Sequence, residues 1–155
     1  MDGRYILTEF DTASGEVKGP NAHKFVHHCG YLVRDRIPIS IREWKKKPSA
    51  DVSYVSDVDK NILWKAVTDH FMIRADAYPD VTREELEETV KECTMRKMAQ
   101  LFQNWKKHLY NTYVKTNTRP NFNEKGPISK AAPHWDDFVQ YKTSEESVER
   151  ITRNR

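Results

Sequence analysis

Residues 82–119 read TREELEETVKECTMRKMAQLFQNWKKHLYNTYVKTNTR, and this stretch decides most of the fold. It opens with a capping box, in which Thr82 is the N-cap residue and Glu85 lies at N3. No glycine or proline interrupts it before Pro120. At 100° per residue one face collects six apolar residues: Met98, Leu101, Phe102, Trp105, Leu109 and Tyr113. Leu86 and Val90 lie about a quarter turn away from that face. The stretch therefore predicts either one long curved helix or two helices that meet near residues 92–94.

The residues at the N-terminus predict a hairpin and a first helix. Residues 5–10 are rich in β-formers, residues 11–15 have turn chemistry, and residues 16–18 can return as a second strand. An approximate helical stripe then covers residues 22–35. Pro38 is expected to end that helix, because the residue before a proline avoids helical geometry.

Two serine residues predict the starts of further helices. Ser40 begins a capping box and predicts a short helix that carries Trp44 and ends near Pro48. Ser56 begins a weaker version of the same motif and predicts a helix that runs to about Phe71.

The C-terminal part predicts a loop and two more helices. Residues 116–129 are rich in Asn, Thr, Gly and Pro, which favours a loop. Pro133 suits the first turn of a helix that continues through Tyr141. The motif at residues 143–146 predicts the cap of a last helix.

Together these elements predict a mainly α-helical protein. We expect a multi-helix bundle around a long central helix, with at most one short N-terminal β-hairpin. A chain of 155 residues fits one ordinary domain or two small ones. We expect a single helical domain over residues 1–155, which could be divided into sub-units 1–75 and 82–155.

The composition excludes several classes of protein. Hydrophobic residues make up 37% of the chain and charged residues 32%, but the aromatic residues can still build a core. No apolar run has the length needed to span a bilayer, so no membrane partner is expected. Residues 1–4 lack the pattern of a secretory signal. Cys29 and Cys93 are far apart and are expected to be reduced, which favours a nuclear or cytoplasmic location.

Charge is strongly segregated along the chain. The formal net charge of +3 combines +4 over residues 31–50, −6 over residues 51–92 and +7 over residues 93–130, with small contributions elsewhere. Two interpretations are open. The basic blocks could form one surface for an acidic partner, or the acidic block could neutralise them within the fold.

Each of the four tryptophans lies in a charged segment, and three of these segments are basic. Because Trp is mostly buried in folded proteins, we expect Trp64 and Trp105 to be core anchors, with the neighbouring lysines facing solvent or an anion. This combination is typical of small helical nucleic-acid-binding modules. It also occurs in basic amphipathic helices with other roles.

Sequence motifs for catalysis or metal binding are weak. There is no phosphate-cradling glycine loop and no Cys-x-x-Cys. His23 and His27 are spaced like zinc ligands on a helix, next to His28 and Cys29, but no further ligand has a related spacing. Adjacent acidic residues on a helix point about 100° apart, so Asp136 and Asp137 are expected in an exposed first turn. We therefore expect no enzyme activity, no cofactor and no metal.

Three segments carry a family resemblance. They are CGYLVRDRIPIS at 29–40 with EWK at 43–45, MAQLFQNWKK at 98–107, and HWDDFVQYKTSEE at 134–146. In this order they resemble plant transposon proteins of the CACTA (En/Spm) class, from about residue 4 to the end of the chain. The resemblance implies a plant nuclear, transposase-associated protein of a transposable element, or a host domain derived from one. The chain lacks the strand-rich body and separated acidic triad of a cut-and-paste nuclease, so the resemblance implies binding and not strand cleavage.

Two functions remain open. The first is a non-catalytic DNA-binding module that contacts phosphates through basic helices. The second is a transposon-derived module for protein–protein interaction or self-association. If DNA is the partner, ten basic residues are expected to meet phosphates: Arg34, Arg36, Arg42, Lys45, Lys46, Lys47, Arg96, Lys97, Lys106 and Lys107.

Overall fold

The computed structural model describes residues 3–153, with side chains described for residues 3–146. The helices are α1 (Ala22–Arg36), α2 (Asp57–His70), α3 (Arg83–Leu109), α4 (Pro127–Ala131) and α5 (Trp135–Arg153). The strands are β1 (Tyr5–Leu7), β2 (Glu9–Phe10), β3 (Val17–Lys18) and β4 (Phe71–Ile73). A π-helical turn (Tyr110–Val114) follows α3, and a 3-10 turn (Ala132–His134) precedes α5. The protein is mainly α-helical with short strands, as predicted.

The chain divides into two compact units. The first unit comprises Met1–Val33 and Ser56–Phe102, and the second comprises Arg34–Val55 and Gln103–Arg155. This division differs from the predicted sub-units 1–75 and 82–155. Each unit is built from two separated segments, and two of the three boundaries fall inside helices, one in α1 and one in α3. A linear search for linkers cannot find boundaries of this kind.

Two small sheets belong to the first unit. The predicted hairpin is confirmed, because β2 and β3 pair antiparallel with Phe10 opposite Val17. The second sheet was not predicted: β1 and β4 run parallel, with Ile6 opposite Met72. The helix predicted to reach about Phe71 ends at His70, since Phe71 leaves helical geometry as the C-cap residue and enters β4.

Both predicted N-terminal caps in the first unit are confirmed. The backbone N–H of Asp59 donates to Ser56 Oγ at 3.1 Å and begins α2. The N–H of Glu85 donates to Thr82 Oγ1 at 3.1 Å and begins α3. Because α3 continues through Thr94 without a break, the long stretch forms one helix and not two.

Gly15 sets the distance between the hairpin and α3 in the first unit. Its φ is +83°, a value that favours glycine. A Cβ at this position would overlap the backbone carbonyl of Thr89 on α3. Backbone atoms in a helix cannot move aside as a flexible side chain can, so only glycine allows this close approach.

The core of the second unit is aromatic. Six buried residues form its centre: Ile39, Leu109, Ala131, Trp135, Phe138 and Tyr141. The Trp135 ring lies 5.8 Å from that of Tyr113, 5.8 Å from that of Phe122 and 5.5 Å from that of Phe138, measured between centroids. Edge-to-face and tilted pairs at these distances add to the stabilisation that burial provides.

The C-terminal helix differs from the prediction. We expected a helix through Tyr141 and a new cap at residues 143–146, but α5 runs without interruption. The Thr143 hydroxyl donates to the Val139 carbonyl at 2.7 Å, and the Ser144 hydroxyl donates to the Gln140 carbonyl at 3.0 Å. Hydroxyls that donate back to the preceding turn do not cap a new helix, so the motif lies in the middle of α5.

The tryptophans also differ from the prediction. Trp44 and Trp135 are buried, whereas the predicted anchors Trp64 and Trp105 are half-buried. Among the residues that the structure describes, no helix combines the length and the apolar character needed to cross a membrane.

Candidate nucleic-acid interface

The structure divides the ten predicted phosphate contacts between the two units. Arg96 and Lys97 belong to the first unit, and the other eight belong to the second. Residues from both basic blocks of the sequence therefore share the second unit. Within this unit, residues 34–47 and residues 106–107 come together although about 60 positions separate them in the chain.

Nine of the ten predicted residues are exposed or half-buried, as a phosphate contact requires. The exception is Lys106, which is only 1% exposed. The prediction of a phosphate contact is therefore wrong for Lys106. Its position on α3 explains the burial, because Lys106 lies three residues before the buried Leu109 and shares its helix face.

Residues 40–55 form an irregular segment that we call the basic loop. The predicted helix from Ser40 is absent from it. Instead, the N–H of Glu43 donates to the Ser53 carbonyl at 3.1 Å, and the N–H of Val55 donates to the Glu43 carbonyl at 3.1 Å. These hydrogen bonds close the loop on itself. Trp44 is buried at 6% exposure and anchors the loop.

The basic side chains of the loop lie beside this anchor. Arg42, Lys45, Lys46 and Lys47 are all exposed. Lys47 Nζ lies 3.9 Å from Glu43 Oε2 in an exposed ion pair, which is weak in water. The loop therefore presents four cations around one buried tryptophan.

Lys106 holds the basic loop from inside. Its Nζ donates to the carbonyl oxygens of Ile41 and Arg42, both at 3.0 Å. These carbonyls would accept from helical N–H groups if the predicted helix had formed, so Lys106 takes the place of those donors. Burial, with a smaller contribution from the nearby Lys142 ammonium, lowers the pKa of Lys106 to about 8, and Glu145 and Glu43 oppose the shift.

Tyr141 on α5 forms the second support of this region. Its hydroxyl donates to the Ile39 carbonyl at 3.3 Å. The Arg42 guanidinium lies 5.3 Å from the centroid of its ring, and Lys106 Nζ lies 5.5 Å from it. Burial raises the pKa of the Tyr141 hydroxyl, so the group stays neutral and can donate. No local sequence pattern indicates this role, because residues 39–42 and 141 are far apart in the chain.

A cleft in the second unit collects further basic groups. It has a volume of about 280 Å³ and is lined by Arg34, Arg36, Trp105, Lys130 and His134, among others. One carboxylate lies among them. Asp35 is 3.8 Å from the Arg36 Nε and 3.7 Å from the Lys130 Nζ. Lys130 lies in α4 and was not among the predicted residues, because no sequence pattern around it pointed to a site.

The other candidates were a metal site, the cysteines and the acidic pair at the start of α5. Among the described residues, no group of three or more His, Cys, Asp or Glu is placed to hold a metal ion. Cys29 is buried, and burial raises the pKa of its thiol to about 12. Asp136 and Asp137 are exposed at the start of α5, and Asp136 lies 3.6 Å from the Arg119 guanidinium.

Comparisons of this chain with protein-family models, with curated proteins and with solved structures found no match.

Proposed function

We propose that this protein is a non-catalytic DNA-binding module that contacts duplex phosphates through the second unit. The contacts are made by the basic loop and by the basic cleft. The resemblance to CACTA-class transposon proteins supports a role at the DNA of a mobile element, or in a nuclear host protein derived from one.

The fixed geometry of the basic loop is the observation that carries this proposal. Two hydrogen bonds from Lys106 and the burial of Trp44 hold the loop before any partner arrives. A pre-ordered loop loses less conformational entropy on binding than a flexible basic tail. Phosphates fit this surface because four cations lie within six consecutive positions, and each neutralised phosphate releases a counterion.

Reversing three lysines is expected to weaken duplex binding. Lys45, Lys46 and Lys47 are changed together to Glu, and binding of random duplex DNA is followed by fluorescence polarisation over a series of salt concentrations. Each lost phosphate contact lowers the slope of log affinity against log salt by roughly one unit. We expect a loss of about three units, with a similar loss of affinity for all duplex sequences.

A matched variant controls for net charge. Lys18, Lys65 and Lys91 lie in the first unit, and their change to Glu alters the net charge by the same amount. Their contacts at the surface are with Glu16, Asp69 and Asn61. Loss of such exposed contacts changes the free energy of unfolding little. If both triple variants lose affinity equally, the basic loop has no special role. If wild-type protein binds no duplex even at low salt, the proposed function is wrong.

A specific surface favours the second function, an interaction module. Val58 is 68% exposed and Ile62 is 50% exposed, and they lie one turn apart on α2. Neighbouring apolar side chains in solvent favour a contact with a second copy or another protein. Sedimentation analysis separates the two functions, because a self-associating module forms dimers in the absence of DNA.

A further inference from the structure

The first unit carries a surface that the proposed duplex contacts do not use. It is an open groove of about 570 Å³ between β1, α1 and the junction of α2 with β4. Its lining is mainly aromatic and basic: Tyr5, His23, Lys24, His27, Tyr31 and His70, together with His28 and Phe71. All of the residues that line the groove belong to the first unit, whereas the basic loop belongs to the second.

Three rings form a ladder along this groove. The ring centroid of His28 lies 4.4 Å from that of His70 and 6.1 Å from that of Tyr31. The interplanar angles are 23° and 25°, so His70 and Tyr31 are each close to parallel with His28. Tyr31 is 48% exposed at one end of the ladder. An exposed ring that ends a stack is a platform on which one more flat ring can lie.

Charge in the groove has one sign. Lys24 Nζ lies 4.5 Å from the centroid of the Tyr5 ring, which keeps the ammonium over the wall of the groove. None of the residues that line the groove is acidic, although the first unit as a whole contains most of the acidic block. The spacing on α1 explains the clustering, because Lys24, His28 and Tyr31 recur at intervals of four and three residues and share a face.

We propose that this groove binds single-stranded DNA, with an unpaired base stacked on Tyr31 and a neighbouring phosphate beside Lys24. Every base has an aromatic face, and ring stacking combined with a basic groove is the usual way to bind single strands without reading their sequence. A duplex does not fit this role, because its bases are stacked on each other. An apolar peptide fits poorly as well, because none of the lining residues is aliphatic.

The test compares two substitutions of one residue. Tyr31→Leu removes the ring, and Tyr31→Phe keeps it. Binding of a fluorescently labelled oligothymidylate is measured for both variants and for wild type at low salt. We expect Tyr31→Leu to weaken binding by about 5- to 150-fold, the range for one lost stacking contact, and Tyr31→Phe to remain close to wild type. Equal melting temperatures establish that both variants are folded. We expect them to be equal because Tyr31 is half-exposed, so its replacement disturbs the core little.

A second probe separates stacking from charge. Inorganic polyphosphate carries the charge of a single strand without its bases, so its binding should be the same for all three proteins. The proposal is wrong if wild type binds no oligothymidylate, if Tyr31→Phe loses as much affinity as Tyr31→Leu, or if polyphosphate binding falls in parallel. Failure of this proposal can be distinguished from failure of the duplex proposal. The triple Glu variant of the basic loop tests duplex binding, and Tyr31→Leu should leave duplex binding unchanged.

Discussion

Replacing Lys106 with alanine is expected to lower the free energy of unfolding by about 3–5 kcal/mol, because this side chain is buried and bonded at its tip. The substitution removes the aliphatic stem from the core and leaves a cavity. It also deprives the carbonyls of Ile41 and Arg42 of the donor that holds them at 3.0 Å. A buried acceptor without a donor costs about 1–3 kcal/mol. Urea denaturation followed by tryptophan fluorescence measures the loss.

Lys107 provides a control of the same residue type at the next position. It is exposed on α3, so Lys107→Ala should change the stability by no more than about 0.5 kcal/mol. If the two alanine variants are equally stable, the hydrogen bonds from Lys106 do not hold the basic loop, and the loop is not ordered before a partner binds.

The pH dependence of stability gives a second readout of Lys106. Burial lowers its pKa from 10.5 to about 8 in the folded protein, so the folded state binds this proton more weakly than the unfolded chain does. Stability is therefore reduced below pH 8, and it rises as the pH increases between the two pKa values. Relative to Lys106→Met, which cannot titrate, we expect wild type to gain about 1–2 kcal/mol between pH 7 and pH 9.

Other buried groups act in the opposite direction at higher pH. Burial raises the pKa values of Cys29 and Tyr141 above their ordinary values of 9.0 and 10.0. Their contributions to the free energy of unfolding are therefore lost as the pH rises above those ordinary values, because the groups then ionise in the unfolded chain. Both residues are present in wild type and in Lys106→Met, so the difference between the two proteins isolates Lys106. A difference in stability between wild type and Lys106→Met that stays the same from pH 7 to pH 9 would contradict the lowered pKa of Lys106.

Trp135→Ala is expected to cost about 3–5 kcal/mol, as removal of a large buried aromatic side chain does. Trp135 is 4% exposed and contacts three other rings of the second unit. Those rings cannot close the space that the indole leaves without losing their own contacts. The melting temperature and a urea titration measure the effect.

Trp105→Ala is the matched control in the same unit. Trp105 is half-buried, packs against the same aromatic cluster and stacks on His108 with 5.8 Å between ring centroids. Its truncation should cost less than half as much, since part of the indole is already in water. A larger loss for Trp105 than for Trp135 would restore the sequence-based expectation that Trp105 is the core anchor.

Local signals in the sequence were sufficient for much of the fold. The caps at Ser56 and Thr82 were predicted because donor and acceptor lie three residues apart. The hairpin of β2 and β3 was predicted because its turn lies between its strands. The same type of motif failed at Ser40, where Ser53 and Lys106 supply partners that compete with a helix.

Distant contacts account for the rest. The parallel pair of β1 and β4 joins segments more than 60 residues apart, and no local pattern marks it. In the candidate interface, the exposed lysines of the basic loop were predicted because lysine is seldom buried. Lys106 is the exception to that rule, and Tyr141 and Lys130 were missed because only the folded chain brings them to residues 35–42.

The interleaved order of the two units has a consequence for synthesis on the ribosome. All segments of the first unit exist once Phe102 has been made, and residues 34–55 have been made earlier still. The residues that hold the basic loop, Lys106 and Tyr141, emerge later. Nascent chains generally fold unit by unit from the N-terminus. During synthesis the basic loop therefore exists for a time without its contacts to Lys106 and Tyr141. It acquires its fixed shape only when α5 has left the ribosome.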